Sequence, residues 1–215
     1  LLLIVDNTFL TPYFQQPIKL GADIVIHSGT KYLGGHNDTL AGFAVVNDEK
    51  ISERLRFIYK TTGACLSPFD SWLLIRGIKT LPLRMEKQQE NAMKLANWLC
   101  EQKNVKTVHY AGLPSHPGYA ISKRQATGFG AMISFEVDSE NRVRRILEEV
   151  SLIQYAESLG GVETLITYPM LQTHGDIPEA EREAKGINER LLRLSVGIES
   201  VGDLIAELTR VIKED

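Results

Sequence analysis

Asp6 closes the apolar run LLLIVD, and Lys31 follows a second such run, ADIVI, within His27-Ser28-Gly29-Thr30-Lys31. If the two runs are parallel neighbouring strands, the carboxylate and the amine meet at one edge, where open α/β sheets bind ligands. That pair suits pyridoxal phosphate, which needs a lysine amine for its aldehyde and a carboxylate at its pyridine nitrogen. Ser28 and Thr30 alternate with Gly29, so both hydroxyls can face a phosphate while the glycine lets backbone come close. A second reading needs no chemistry: Lys31 as a solvated loop residue and Asp6 as a turn cap. Spacing alone slightly favours that second reading. A P-loop is the rival phosphate cradle, but G-x-x-x-x-G-K-[ST] is absent and Lys31 precedes the glycines.

Other side chains are weaker candidates. His27 and His36 flank the lysine in sequence, and both read as packing or turn residues. Gly34-Gly35 reads as a tight turn. Arg76, Arg84 and Arg190 are carboxylate binders on charge alone, and Tyr168 is a pocket-lining or packing residue. Cys65 and Cys100 have no C-x-x-C or zinc-ligand spacing, and the five histidines, His174 among them, show no H-E-x-x-H; no metal is expected. Two reduced thiols are the expected state of the cysteines.

The elements that must position these residues follow from periodicity. Leu1–Val5 and Ala22–Ile26 read as buried parallel strands joined by a compact right-handed crossover, with a short helix around Ile18–Leu20. Ala41–Val46 reads as a third strand, and Asn47-Asp48 as a turn capping a helix over Glu49–Tyr59. From Asp70 the pattern is helical, with Trp72, Leu73, Ile75, Ile78 and Leu81 on one face and a break or kink at Pro82. Met85, Ala92, Leu95, Ala96 and Leu99 mark a further helix. Val105–Tyr110 reads as a strand and Ala111–Gly128 as a loop. Ala131, Ile133, Phe135 and Val137 alternate as in a half-buried strand. Val143, Ile146, Leu147 and Val150 give an amphipathic helix, and Leu191–Ile198 a strand. Val201 to Ile212 gives the last helix, with Ser200 and Asp203 as a capping box. The boundary is placed near Pro82: residues 1–82 end a large, mostly parallel-sheet domain, and 83–215 form a smaller α+β domain on an antiparallel sheet.

The motifs then tip the balance. VDNTF, GADIVIHSGTKYLGGHND, LAGF, LLIRGIKTLPLRM, GFGAMISFEV, ESLGGVETLITYP, THGDIP and RLSVGIE stand in order along nearly the whole chain. Together they resemble the cysteine/methionine-metabolism family of pyridoxal-phosphate enzymes, which holds the cystathionine γ-synthases, γ-lyases and β-lyases and the methionine γ-lyases. The resemblance implies an α/β fold of the aspartate-aminotransferase-like type (fold type I). It implies Lys31 as the cofactor lysine, Asp6 as partner of the pyridinium nitrogen, and Ser28 and Thr30 as phosphate ligands. It also implies Arg193 as the grip on the substrate α-carboxylate, with Ser158 beside it. ESLGGVETL is more similar to the γ branch, so the expected reaction is γ-elimination or γ-replacement on cystathionine or an activated homoserine. Alternatives are a cystathionine β-lyase with the same cofactor and a non-catalytic relative kept for subunit contacts. Thr167 stands where several γ-lyases carry glutamate, and Tyr119 where a second histidine is frequent after SHP.

Composition bounds the rest. The 215 residues carry 24 basic and 27 acidic side chains, a formal charge of -3, with 43% apolar and 24% charged residues. That is ordinary globular usage, with no electrostatic footprint for nucleic acid or an anionic membrane. No run reaches the ~20 apolar residues of a membrane span, and no signal peptide is visible. The expected partners are a small amino-acid substrate and further copies of the chain, a dimer of dimers by resemblance, in a cytoplasmic setting. LLLIVD begins inside a strand, so the expectation is a longer natural chain of ~400 residues. Its upstream half would supply the ring stacked on the cofactor, a phosphate loop, and residues for a neighbouring subunit's site. An isolated 1–215 polypeptide is then not expected to be a stable, active enzyme.

Overall fold

Short β-rich runs and long amphipathic runs alternate along the chain, and each finds its partner layer in a computed structural model that describes residues 1–172 and 175–213. Two sheets organise it. The first has three strands in the order β1 (Ile4–Asp6), β2 (Ile24–Ser28) and β3 (Gly42–Val46). β1 and β2 are parallel, with Asp6 opposite Ile26, and β3 is antiparallel to β2. The expected parallel pair is therefore present. Between these strands lie a four-residue helix, α1 (Thr11–Phe14), and a 3-10 turn at Pro17–Leu20, each opened by a proline near its start.

One expectation fails at this edge. Leu1, Leu2, Leu3 and Ile4 were expected to be buried on both faces, yet all four are more than half exposed. The reason is position: β1 is an edge strand with β2 as its one neighbour, so nothing in the described residues covers it.

Helices α2 (Glu49–Thr62) and α3 (Pro68–Ile78) start at side-chain caps. Asp48 accepts from the Ile51 amide at 2.9 Å, and Ser67 from the Asp70 amide at 3.0 Å. The apolar face read for α3 is corrected here: Trp72, Ile75 and Ile78 are exposed, whereas Leu74 and Gly77 are buried. Gly77 packs directly on the backbone of Gly34, which turns the opposite face of the helix outward. The chain breaks after Ile78, and Pro82 sits in the first turn of α4 (Leu81–Cys100), where a missing amide costs nothing.

The second sheet has the order β4 (Val105–His109), β5 (Met132–Val137), β8 (Leu191–Ser195), β7 (Leu165–Thr167) and β6 (Gln154–Tyr155). All pairs are antiparallel except β6 with β7. Along β5 the burial alternates as read, with Ile133, Phe135 and Val137 fully inside. α4, α6 (Glu140–Glu149) and α8 (Val201–Ile212) supply the facing layer. Leu95 and Leu99 of α4 and Leu204 and Leu208 of α8 are wholly buried. Each such leucine stabilises the fold by about 1.5–3 kcal/mol. Short helices α5 (Tyr119–Gln125), inside the expected loop, and α7 (Glu179–Ala184) complete the order.

The last helix starts where expected, but Ser200 makes no side-chain cap; its backbone carbonyl accepts from Asp203 instead. Both cysteines are free. Among the described residues, no helix is long and apolar enough to cross a membrane.

Candidate active site

The loop after β1 is held by its own side chains. The Asn7 amide continues the ladder to Ile26 O at 2.9 Å, while its buried side chain donates to Thr11 O and Gln15 O. Thr8 donates its amide to Asp6 Oδ1 at 2.9 Å, and its hydroxyl accepts from the Ser28 amide at 2.8 Å. Asp6 thus caps a turn, as the non-chemical reading requires. It also lines, with Ser28 and Lys31, a cleft of about 530 Å³ at the carboxyl ends of the parallel strands.

Lys31 sits in a π-type turn, Gly29–Leu33, and breaks it locally with φ −94° and ψ −129°. Gly29 is needed for a close approach, but to β3 rather than to a ligand: a Cβ there would stand 2.9 Å from both Ala41 Cβ and Phe43 Cε2. Ser28 and Thr30 line different cavities. Thr30 Oγ1 accepts from the Ala41 amide at 3.0 Å and lines a neighbouring cavity of about 710 Å³, together with Ser158. Ala41, just before β3, thus holds the Thr30 hydroxyl.

Arg193 comes from β8 of the second sheet, and Ser158 from the loop between β6 and β7. Lys31 Nζ donates to Ser158 Oγ at 3.2 Å. Arg193 Nη2 donates to Ser158 O at 3.3 Å and to Thr167 Oγ1 at 3.2 Å, an adjacency set by the β7–β8 register that pairs the two residues. Arg193 Nε is buried with no hydrogen-bond partner among the described residues. A buried donor left open in this way suits a carboxylate supplied from outside. Gly160 adopts φ +81°, and a Cβ there would stand 2.6 Å from the Tyr32 amide nitrogen, so the ESLGG loop packs straight onto the lysine turn.

The electrostatics agree with the geometry. Burial, then the Arg193 guanidinium, holds the Lys31 ammonium below the usual lysine range, with Glu157 pulling the other way. Burial lowers Arg193 as well. A lysine kept closer to its neutral amine is suited to a cofactor aldehyde.

The remaining candidates are placed elsewhere. His27 is buried behind the sheet, and His36 Nδ1 lies 2.8 Å from Gly34 O. Tyr168 is buried and donates to Glu189 O at 3.1 Å, a packing role. Arg84 is buried on backbone carbonyls, Arg190 lies near Glu136, and Arg76 rests over Trp72. Thr173 and His174 of THGDIP lie outside the described residues. No metal cluster occurs among the described residues. Sequence reasoning missed Asn7 and Thr8 as the supports of the Asp6 loop; an asparagine and a threonine right after a strand-terminal aspartate were the available signal. It noticed Thr167 only as a departure, not as a partner of Arg193.

Comparison with known proteins identifies the chain's relatives. The chain is 51% identical over 213 residues to the cystathionine β-lyase of Lactococcus lactis subsp. cremoris (strain MG1363), covering 99% of this chain and 56% of that protein. It is 51% identical over 212 residues to the cystathionine γ-lyase of Bacillus subtilis (strain 168), again 99% and 56%. The crystal structure of cystathionine γ-synthase from Xanthomonas oryzae pv. oryzae in complex with aminoacrylate and cysteine matches with a TM-score of 0.95 at 44% identity, over 98% of this chain and 55% of that one. The chain thus spans about half the length of the relatives it matches, and its architecture is that of fold type I, the aspartate-aminotransferase-like class. The model of the Cys/Met metabolism PLP-dependent enzymes matches residues 1–213, and the chain belongs to that family.

Proposed function

We propose that these residues form the lysine-bearing part of a pyridoxal-phosphate-dependent carbon–sulfur lyase acting on cystathionine or a similar amino acid. The observation that carries this reading is the convergence of Lys31, Ser158 and Arg193, with Lys31 sharing a cleft with the Asp6 carboxylate. Family membership supports the cofactor, and the donor set fits it: a half-buried amine, a carboxylate in the same cleft, and an open guanidinium donor. When bound, pyridoxal phosphate supplies an aldehyde that takes up amines and a ring that accepts the electron pair left at Cα.

The chain's own residues do the rest. Lys31 would hold the cofactor through its amine, and the same Nζ is the group that would move a proton from the substrate Cα and return one on the leaving side. Asp6 would partner the ring nitrogen and favour its protonated form, which makes the ring a better electron acceptor. Ser28 and Thr30 are the residues that would hold the phosphate. Arg193, steadied by Thr167 and the Ser158 carbonyl, pairs with the substrate α-carboxylate and fixes the amino acid for proton transfer. The same reading keeps residues 1–82 and 83–215 as two domains and the working form as a homo-oligomer. Exposed Phe69, Trp72 and Ile75 on α3 support contact with further protein surface.

The finer reaction is read differently from the expectation built on ESLGGVETL. The cystathionine β-lyase is as similar to this chain as the γ-lyase is, and Thr167 rather than a glutamate sits against Arg193. We therefore put β-elimination first. Cleavage at Cγ is the second reading, favoured by the γ-synthase superposition. Incubation of the purified protein with cystathionine separates them. Homocysteine with pyruvate is the expected outcome; cysteine with 2-oxobutyrate shows γ-elimination, and neither keto acid overturns the lyase reading. Lys31→Ala abolishes the borohydride-bleachable yellow colour if Lys31 is the cofactor lysine.

A further inference from the structure

Helix α4 carries a stripe that its role in the core does not explain. Arg84, Gln88 and Asn91 follow the i, i+4, i+7 spacing of one helix face, and all three are buried, at 4%, 0% and 0% exposure. A buried stripe facing a core is normally apolar, and elsewhere α4 obeys that rule with Met85, Ala92, Leu95 and Leu99.

Each of the three reaches a different segment of the site. Arg84 donates to Tyr32 O at 2.7 Å, to Leu33 O at 3.4 Å and to Gly77 O at 2.9 Å, with its Nε on Thr80 Oγ1 at 3.1 Å. Tyr32 and Leu33 directly follow Lys31. No carboxylate pairs with this guanidinium among the described residues, so its donors go to three backbone carbonyls and the Thr80 hydroxyl. Gln88 Nε2 donates to Gly161 O at 2.7 Å, three residues beyond Ser158. Asn91 Nδ2 donates to Gly197 O at 3.1 Å and Glu199 O at 2.9 Å, just past the strand that carries Arg193.

We infer that Arg84, Gln88 and Asn91 are positioning residues: one face of α4 sets Lys31, Ser158 and Arg193 in register with one another. The inference deepens the lyase reading and rests on its assignment of those three residues. Two further facts support it. Gln88 Oε1 and Asn91 Oδ1 are buried without partners among the described residues, a desolvation cost that an apolar side chain in a core stripe does not carry. What the amides add is a donor aimed at each site loop. The loops are also tied to one another: Val162 N donates to Gly35 O at 3.0 Å, and Ile198 N to Val162 O at 2.9 Å. One rigid helix therefore serves as the common frame, and a helix is a more precise frame than loops.

The test uses the purified, cofactor-supplied protein with Arg84→Lys, Gln88→Met and Asn91→Leu, and Leu95→Ala as a core control on the same helix. Amide hydrogen exchange is read over residues 29–35, 158–163 and 195–199, alongside kcat and KM. Each variant is expected to speed exchange chiefly in its own segment. Arg84→Lys should lower kcat by up to roughly a hundredfold with little change in KM, the scale of a small misplacement of a reacting group. Gln88→Met and Asn91→Leu should act mainly on KM. Leu95→Ala should lower the melting temperature without that segment pattern. Wild-type exchange in folded variants, or a pattern shared with Leu95→Ala, overturns the inference. If Gln88→Met does not fold, Gln88→Asn, which keeps the amide but shortens its reach, is judged by the same two outcomes. A wild type that takes up no pyridoxal phosphate sinks the lyase reading separately, since the exchange pattern still reports on α4.

Discussion

Lys31 and Arg193 share one electrostatic environment, and that sharing can be measured at the level of single residues. Burial is the larger cause of the lowered Lys31 pKa and the Arg193 charge the second. Removing the arginine relieves only the second, so in cofactor-free Arg193→Met the Lys31 amine should titrate at higher pH than in wild type, yet still below an exposed lysine. The pH dependence of acylation at Lys31 checks this, and a downward shift or none contradicts the shared environment. Thr167 should matter through the same arginine. Thr167→Val removes an acceptor from a charged donor, worth about 1.5–3 kcal/mol, so KM should rise by roughly tenfold or more while kcat holds. An unchanged KM would leave Thr167 a packing residue. These roles were only half visible beforehand. Asp6 stands out because it ends an apolar run and Lys31 because it closes the polar turn after a second one, whereas Ser158 and Arg193 lie far off in sequence and emerge only through motif resemblance and the β7–β8 register.

Elements with a strong period were legible, and those whose existence depends on neighbours were not. α4 and α8 bury long apolar faces, and β5 alternates cleanly, so their patterns decide their structure. β6 and β7 have two and three residues, too few for a period, and are strands because β7 pairs with β8 and β6 with β7. The face of α3 was misread because Gly77, not an apolar side chain, makes its closest approach. The start of α8 shows the same limit, since Ser200 has the right type for a cap and does not use it. A different side chain on α8 ties that helix down. The Glu207 carboxylate accepts from the Ser151 amide and hydroxyl and from the Leu152 and Ile153 amides, all between 2.6 and 2.8 Å. Burial alone would raise its pKa, but those donors outweigh it and hold the group below the usual carboxylate range. The folded state therefore gains stability from Glu207 above its unfolded pKa, near 4.3, and loses it as pH falls through the lower folded value. Glu207→Gln should cost about 2–3 kcal/mol at neutral pH. The deficit should shrink as the solution is acidified, and denaturant melts at several pH values read both. A deficit independent of pH would mean that the charge is not what matters.

At the scale of the whole molecule, the site is a joint between two sheets. Asp6, Ser28 and Lys31 come from the first and the turn after β2, and Ser158 and Arg193 from a loop and a strand of the second, so a ligand that touches both sets acts on the entire fold. Binding to the native state stabilises by mass action, by about 2.7 kcal/mol when the free ligand is a hundredfold above its Kd. Pyridoxal phosphate is assigned mainly to first-sheet residues, and an amino acid held on it to Arg193 as well. The melting temperature should accordingly rise in two stages: once with pyridoxal phosphate, and again when L-alanine, which has no leaving group, is added. The arrangement dictates which variant loses which stage. Arg193→Met should keep the first increment and lose most of the second, because the amino acid forfeits its carboxylate partner. Lys31→Ala should lose most of the first, because the amine that holds the cofactor is gone. Equal loss of both increments in both variants would show the two sheets responding as one undivided site, with no division of labour between cofactor and substrate residues.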